Sequence, residues 1–379
     1  MKSSRIMPFL LACLLFIVFA IIPMANAENT IKIGYIGVLT GPGAMYGIAV
    51  QKGMNLCINE VNAAGGINGR KVELISMDSQ GNPAMGQQAY YKLVESEGVV
   101  AILGPVLTDV SKAVADAAND DGMPMITPSA TAYEVTTDRP SVFRTCFLDP
   151  FQAAVIARYV AQEGIKSVGV LYDNGDEYSN GLMLAFKEEC EKQGVNIVAS
   201  ESASFDDVDF KSQLTNLKNA GPEAVFLPYY GAPAALILTQ ANELGFSPRF
   251  FGADGISNVI DSISDKSLLT NIIYTDHFTG DAQSEKAIHY LKAFESEYGE
   301  KPTLAFSATA YDAALVLIEA IKSAGTTDKG AIVSAIKSSS VNGVTGNITF
   351  DEHNDPIKSV FFTTFDAEGN KVFIKQLDP

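Results

Sequence analysis

Between Gly104 and Thr136 the chain reads GPVLTDVSKAVADAANDDGMPMITPSATAYEVT, and hydroxyls gather behind two short apolar runs. The first run, Val99 to Leu103, ends in Gly104-Pro105, with Thr108 close behind. The second, Met123 to Ile126, ends in Thr127-Pro128-Ser129-Ala130-Thr131. If both runs are parallel strands, their carboxyl ends are neighbours and the two loops meet. Hydroxyls and unpaired backbone N–H groups beside a helix N-terminus suit a small carboxylate or phosphate. Val110, Val114, Ala117 and Ala118 recur at helical spacing between the runs, and Thr108 stands where an N-cap is expected. Two ordinary βα connections would carry the same local pattern.

Catalytic patterns are sparse. His277, His289 and His353 have no metal-ligand spacing to one another or to a cysteine. There is no G-x-S-x-G elbow and no phosphate-binding Walker loop. Gly41-Pro42-Gly43-Ala44-Met45-Tyr46-Gly47 approaches a dinucleotide fingerprint, but its last spacing is one residue too long. The acidic turn Asp351 to Asp355 lacks an EF-hand pattern. No catalytic residue, metal or cofactor is expected, and a binding protein fits this inventory better than an enzyme.

The elements around these loops alternate. Ile31 onward reads as a strand, followed by a helix from about Tyr46 to Ala64 that stops at Gly65-Gly66. A strand ending at Asp78, a helix from Pro83 to Ser96, the two apolar runs and Val142 to Phe147 complete a βαβ array. A second array starts near Pro150. It has helices 151–163, 180–193, 210–220 and 233–244, and strands 167–172, 196–200, 223–229, 250–252 and 272–275. Helices 305–324 and 328–337 follow, then strands near 360–365 and 371–376. The first array lacks its last helices, which 305–337 would supply. The expected division is therefore 28–147 plus 279–348 in one α/β lobe and 148–278 plus 349–379 in another. Two doubly wound lobes facing each other enclose a cleft.

Residues 1–27 stand apart from that division. Lys2 and Arg5 precede an apolar core from Phe9 to Ile22, and Ala25-Asn26-Ala27 is a small-x-small site. That is a secretory leader expected to be cleaved after Ala27, which places the mature chain outside the cytoplasm. Without Lys2 and Arg5, 25 basic residues face 44 acidic ones, a net charge of −19 against −17 for the whole chain. Nucleic acid and anionic membrane surfaces are poor partners for such a charge. Cys57, Cys146 and Cys190 are too few and too scattered for a disulfide framework. Buried apolar stripes account for Cys57 and Cys190, although one bridge stays possible.

The Gly41-Pro42 loop with Tyr46-Gly47, then VNAAGGINGRKVEL, AILGPVLT, PMITPSAT, VLYDNGDEYSNG and FFGADG, resembles the periplasmic leucine/isoleucine/valine-binding proteins. These are the substrate-binding components of branched-chain amino-acid ABC transporters. The blocks keep their order over nearly all the mature chain. The resemblance implies a type I periplasmic binding protein-like trap: α/β, two lobes, three crossings. It implies a small amino-acid ligand, an inner-membrane ABC permease as partner, a periplasmic location and a monomer. Thr108, Ser129, Ala130 and Thr131 then fall in the carboxylate-binding loops. Tyr178 and Tyr230 cover the ligand from the second lobe, with Tyr229 an alternative register for Tyr230. Asp254 receives the α-ammonium, and Tyr46 and Phe306 line the side-chain pocket.

Elementary chemistry supports that set, because a zwitterion needs donors at one end and a charged acceptor at the other. Asp254 could instead cap the helix that follows it. Well-known members of the family staple the first helix to the Gly104 loop by a disulfide. Cys57 matches its first half, but Val106, Leu107 and Thr108 offer no second cysteine. Relatives in the wider family bind amides, urea or aromatic acids, and an exported ligand sensor would share the same trap.

Overall fold

A computed structural model describes residues 30–378. The leader expected over 1–27, with its cleavage after Ala27, lies outside them. The chain begins with β1 (Thr30–Gly37), α1 (Ala44–Ala63), β2 (Lys71–Asp78), α2 (Pro83–Tyr91), β3 (Ile102–Leu103), α3 (Thr108–Asp120), β4 (Met125–Thr127) and β5 (Val142–Arg144). The strands form one parallel sheet in the order β2-β1-β3-β4-β5. The order reverses between β1 and β3, so a crevice opens beyond their carboxyl ends.

Next come α4 (Asp149–Gln162), β6 (Ser167–Tyr172), α5 (Glu177–Gln193), β7 (Asn196–Ser202), α6 (Lys211–Ala220), β8 (Ala224–Leu227), α7 (Gly231–Glu243), β9 (Arg249–Gly252) and β10 (Ile272–Asp276). After α8 (Glu285–Tyr298), α9 (Phe306–Ala324), α10 (Lys329–Lys337) and the hairpin β11 (Val341–Gly343) with β12 (Gly346–Ile348), the chain ends in β13 (Val360–Phe365) and β14 (Lys371–Leu377). The second sheet runs β14-β13-β10-β9-β8-β6-β7, with β13 and β14 antiparallel. Its reversal falls between β6 and β8.

The helices 306–337 pack on the first sheet. Leu317, Ile321, Ile332 and Ile336 share one apolar cluster with Ile31, Ile33, Val50, Met54 and Cys57. α9 is buried nearly all round, as a central helix must be. At its crossing with α1, a Cβ on Gly53 would stand 1.9 Å from the Ser307 carbonyl oxygen, so only glycine fits. The chain thus passes between the sheets after β5, after β10 and after β12.

Three local expectations change. Thr108 is not the N-cap of α3. Leu107 has the extended backbone an N-cap needs, and Thr108 is the first helical residue with no capping bond. Tyr178 lies inside α5, because Asp176 caps that helix by accepting from the Ser179 N–H and starts it earlier than expected. α8 was missed, although Ser284 accepts from the Ala287 N–H at its start and Gly299 adopts a left-handed conformation after its end. Among the described residues, Cys57, Cys146 and Cys190 are free and buried, which removes the possible bridge between any two of them.

One buried ion pair ties the loop after β4 to the third passage. Arg144 is fully buried. Its guanidinium donates to Asp355 Oδ1 (2.5 Å), to the Ala130 and Ala132 carbonyls (2.8 and 2.9 Å) and to Thr136 Oγ1 (2.6 Å). Thr136 also donates to Asp355 (2.7 Å). A buried cation stripped of its partner is strongly destabilising. Asp355→Ala should cost about 3–5 kcal/mol in urea unfolding, and a loss below about 1 kcal/mol would show that the pair is dispensable.

Candidate functional site

The ends of parallel strands converge on one small cavity. Tyr46 reaches it from the loop and helix after β1, Val106, Leu107 and Thr108 from the segment after β3, and Ser129 from the loop after β4. The second sheet sends Tyr178 from behind β6, Tyr230 from behind β8, and Asp254 and Gly255 from behind β9. Phe306, at the start of α9, closes the wall.

The first wall is a set of donors. The amides at the start of α3 have no intrahelical partners, and the helix dipole adds positive potential there. Thr108, the first helical residue, lines the cavity. Ser129 points its hydroxyl away, donating to the Val106 carbonyl (2.9 Å) and bracing the loop. Ala130 and Thr131 lie behind the wall, not on it. The Ala130 carbonyl is taken by Arg144, and Thr131 is fully buried.

The opposite wall is built on Asp254, which is 1% exposed. It opens a short 3₁₀ turn without capping it, so the capping alternative is wrong. Oδ1 accepts from Gln152 Nε2 (3.0 Å) and the Tyr178 hydroxyl (2.8 Å), and Oδ2 lies 2.8 Å from His277 Nε2. Gln152 also accepts from the Asp254 N–H (2.8 Å) and from the Thr275 hydroxyl (2.6 Å). Burial, then the Asp254 charge, holds the Tyr178 phenol well above its ordinary range, so it stays a donor. The sequence reading missed Gln152 and His277. His277 had a signal in its position, directly after the carboxyl end of a parallel strand of the second sheet, where ligand-facing residues gather.

Aromatic rings fill the space between the walls. Tyr178 stacks on Tyr230 at 5.3 Å, and Tyr46 meets Tyr230 at 5.4 Å and Phe306 at 5.9 Å. The register of the two adjacent tyrosines is resolved. Tyr229 is a core residue whose hydroxyl donates to the Ala203 carbonyl (2.6 Å), whereas Tyr230 lines the cavity.

Tyr46 also spans the cleft. Its hydroxyl hydrogen is shared between the Gly255 carbonyl (2.7 Å) and Asn258 Oδ1 (2.6 Å), and its oxygen accepts from the Gly231 N–H (2.9 Å). A Cβ on Gly231 would lie 2.2 Å from Asn258 Oδ1, so the approach depends on glycine there. At the rim, Lys112 pairs with Glu177 (2.8 Å), and the Glu177 N–H donates to Asp109 (3.3 Å). The two sheets are thus held together over the cavity.

Residues 30–370 match the periplasmic binding protein family. The Leu/Ile/Val-binding protein homolog 3 of Brucella melitensis is 34% identical over 355 residues, covering 91% of this chain and 94% of its own. A leucine-, isoleucine-, valine-, threonine- and alanine-binding protein of Pseudomonas aeruginosa is 31% identical over 361 residues, covering 93% and 94%. The solved branched-chain amino acid transporter substrate-binding protein LivJ of Streptococcus pneumoniae, in complex with isoleucine, superposes with a TM-score of 0.85. It is 31% identical, and the match covers 91% of this chain and 99% of that one. These homologues are substrate-binding proteins for branched-chain amino acids, and the type I binding-protein architecture expected from the sequence is the one observed. Since the family match takes in nearly every described residue, the chain belongs to the periplasmic binding protein family.

Proposed function

We propose that the protein captures a small apolar α-amino acid, leucine, isoleucine or valine, and delivers it to an inner-membrane ABC permease. The observation that carries this is the pairing of opposite walls. Free helix-terminal amides and Thr108 face a buried carboxylate, Asp254, across a small box of aromatic rings. A zwitterion with an apolar side chain satisfies both walls at once. A charged side chain would lie against Tyr46 and Phe306 without a partner, at a cost of several kcal/mol. The protein acts as a non-enzymatic monomer. It is exported by a leader cut after Ala27.

Two bodies, 28–147 with 279–348 and 148–278 with 349–379, close on the ligand about the three passages. Thr108 and the free amides at the start of α3 receive the carboxylate on the first body, with Ser129 bracing the loop beside them. Tyr178, Tyr230 and Asp254 then seal it from the second, and closure is favoured because only the closed form offers both walls.

Leucine, isoleucine and valine should outrank aspartate and lysine in a thermal-shift screen. A ligand at a hundred times its dissociation constant adds about 2.7 kcal/mol. If an uncharged amide shifts the melting temperature and leucine does not, the ligand class is wrong. Asp254→Asn keeps the shape and removes the charge, and calorimetry should show leucine affinity lowered by about 1.5–3 kcal/mol. Unchanged affinity would remove Asp254 from the ammonium site.

Tyr46→Phe keeps the ring and removes the bonds to Gly231, Gly255 and Asn258. It should weaken every ligand by about 1 kcal/mol or more, mainly through faster dissociation, without reordering them. Stopped-flow release rates equal to those of the unaltered protein would show that the hydroxyl does not hold the cleft shut.

A further inference from the structure

The two carboxylate oxygens of Asp254 have unlike surroundings. Oδ1 accepts from Gln152 Nε2 (3.0 Å) and from the Tyr178 hydroxyl (2.8 Å), whereas Oδ2 meets His277 Nε2 alone (2.8 Å). A carboxylate oxygen has two lone-pair directions. Oδ1 is therefore filled, and the open direction belongs to Oδ2. Asp254 lines the cavity, so a donor on the ligand must come to the oxygen that His277 holds.

The three donors are not held alike. Gln152 is fixed by its other oxygen contacts, since Oε1 accepts from the Asp254 N–H (2.8 Å) and the Thr275 hydroxyl (2.6 Å). Tyr178 is fixed by the Gly255 N–H (2.9 Å). The His277 side chain is fully buried, and its Nδ1 has no partner. An acceptor at Oδ2 calls for the proton on Nε2, which leaves Nδ1 a bare lone pair. Aromatic packing, rather than a second hydrogen bond, sets the angle of the imidazole. Phe147 lies against it with ring centroids 3.7 Å apart and 33° between the planes, and Phe306 stands at 5.6 Å. Phe147 is on the first passage and packs in the second sheet's core, while Phe306 packs in the first sheet's core. His277 itself is on the second passage. Its ring thus lies at the seam of the two bodies, where rotation about the passages changes what it touches.

We infer that His277 is a positioning residue for ligand capture: it aims Asp254 Oδ2 at the amine of the bound α-amino acid and, through Phe147 and Phe306, couples that oxygen to closure of the cleft. This rests on the amino-acid reading above and deepens it by naming the receiving oxygen and the residue that directs it. Without the Nε2–H, Asp254 keeps its charge, but its carboxylate is held at one oxygen and turns about its Cβ–Cγ bond.

Calorimetry with leucine on the purified protein tests this. His277→Leu fills the space without a donor and should lower leucine affinity about 10–100-fold, the weight of one hydrogen bond to a charged group. His277→Gln, whose amide N–H can reach Oδ2, should stay within about 5-fold of the unaltered protein. In an Asp254→Asn background, His277→Leu should cost less than about 2-fold more, since a residue that acts through another has nothing left to aim. Equal costs in both backgrounds, or equal damage from the two substitutions at His277, mark a packing role and overturn the inference. Phe147→Leu leaves the hydrogen bond in place and should speed leucine release in stopped-flow by about 3-fold or more; release at the unaltered rate overturns the coupling to closure. With three histidines in the chain, the imidazole nitrogens are readily assigned by NMR. In the leucine complex of the unaltered protein, His277 should carry its proton on Nε2, and a proton on Nδ1 alone overturns the inference without any variant. If the unaltered protein binds no α-amino acid, the amino-acid function falls and the Oδ2 assignment with it, an outcome distinct from equal costs in a protein that does bind leucine.

Discussion

The buried charge of Asp254 is the constraint around which the second sheet's loops are arranged. A carboxylate removed from water must recover its hydrogen bonds from the protein. Here the donors come from three separate elements: Gln152 on α4, Tyr178 on α5 and His277 just after β10. Each of those elements follows a different passage or strand end. Satisfying one charge therefore sets the relative positions of α4, α5 and the chain leaving β10. Tyr178 is used twice, because its oxygen also accepts from the Gly255 N–H (2.9 Å). The ring that covers the cavity is thereby locked by the group at its floor.

The first wall is stabilised differently. It carries no buried charge facing the cavity, only amides and hydroxyls, and its shape is held from behind by Arg144. The guanidinium binds the Ala130 and Ala132 carbonyls and Asp355 together, so the loop after β4 and the third passage move as one piece. Donors and acceptors for a zwitterion thus sit on separately braced supports. Tyr46, tied to Gly231, Gly255 and Asn258, is the direct bond between them inside the cleft.

Much of this was legible in the sequence for physical reasons. Strands β6 and β13 begin and end where apolar runs and turn residues place them, and Ser129 and Asp254 stand just past the carboxyl ends of parallel strands, the side on which such sheets bind ligands. What stayed hidden depended on distant partners. Nothing local distinguishes Gln152 from a surface residue of an amphipathic helix, and its role appears only when β9 comes alongside α4. His277 was weighed for metal spacing, whereas its function is a single bond to a residue 23 positions earlier. Thr108 was displaced by one position because the cap is defined by backbone angles at Leu107, which residue type does not reveal. α8 was missed because its apolar face is small: only Ala287, Tyr290 and Phe294 are buried.

The packing of α9 against α1 has a consequence for biosynthesis. Residues 306–324 cover the apolar face presented by residues 44–63, so the first sheet's core joins segments about 250 positions apart. A chain growing from its amino end exposes Val50, Met54 and Cys57 to water until four-fifths of it has been made. The second sheet waits for β13 and β14 at the very end. The first half cannot finish folding until most of the chain has been made and the second not until its last strands have, and contacts this remote in sequence form slowly. The topology that closes a cleft around a ligand thus also delays folding of the nascent polypeptide through most of its synthesis, the state in which a chain can still be threaded through a narrow pore.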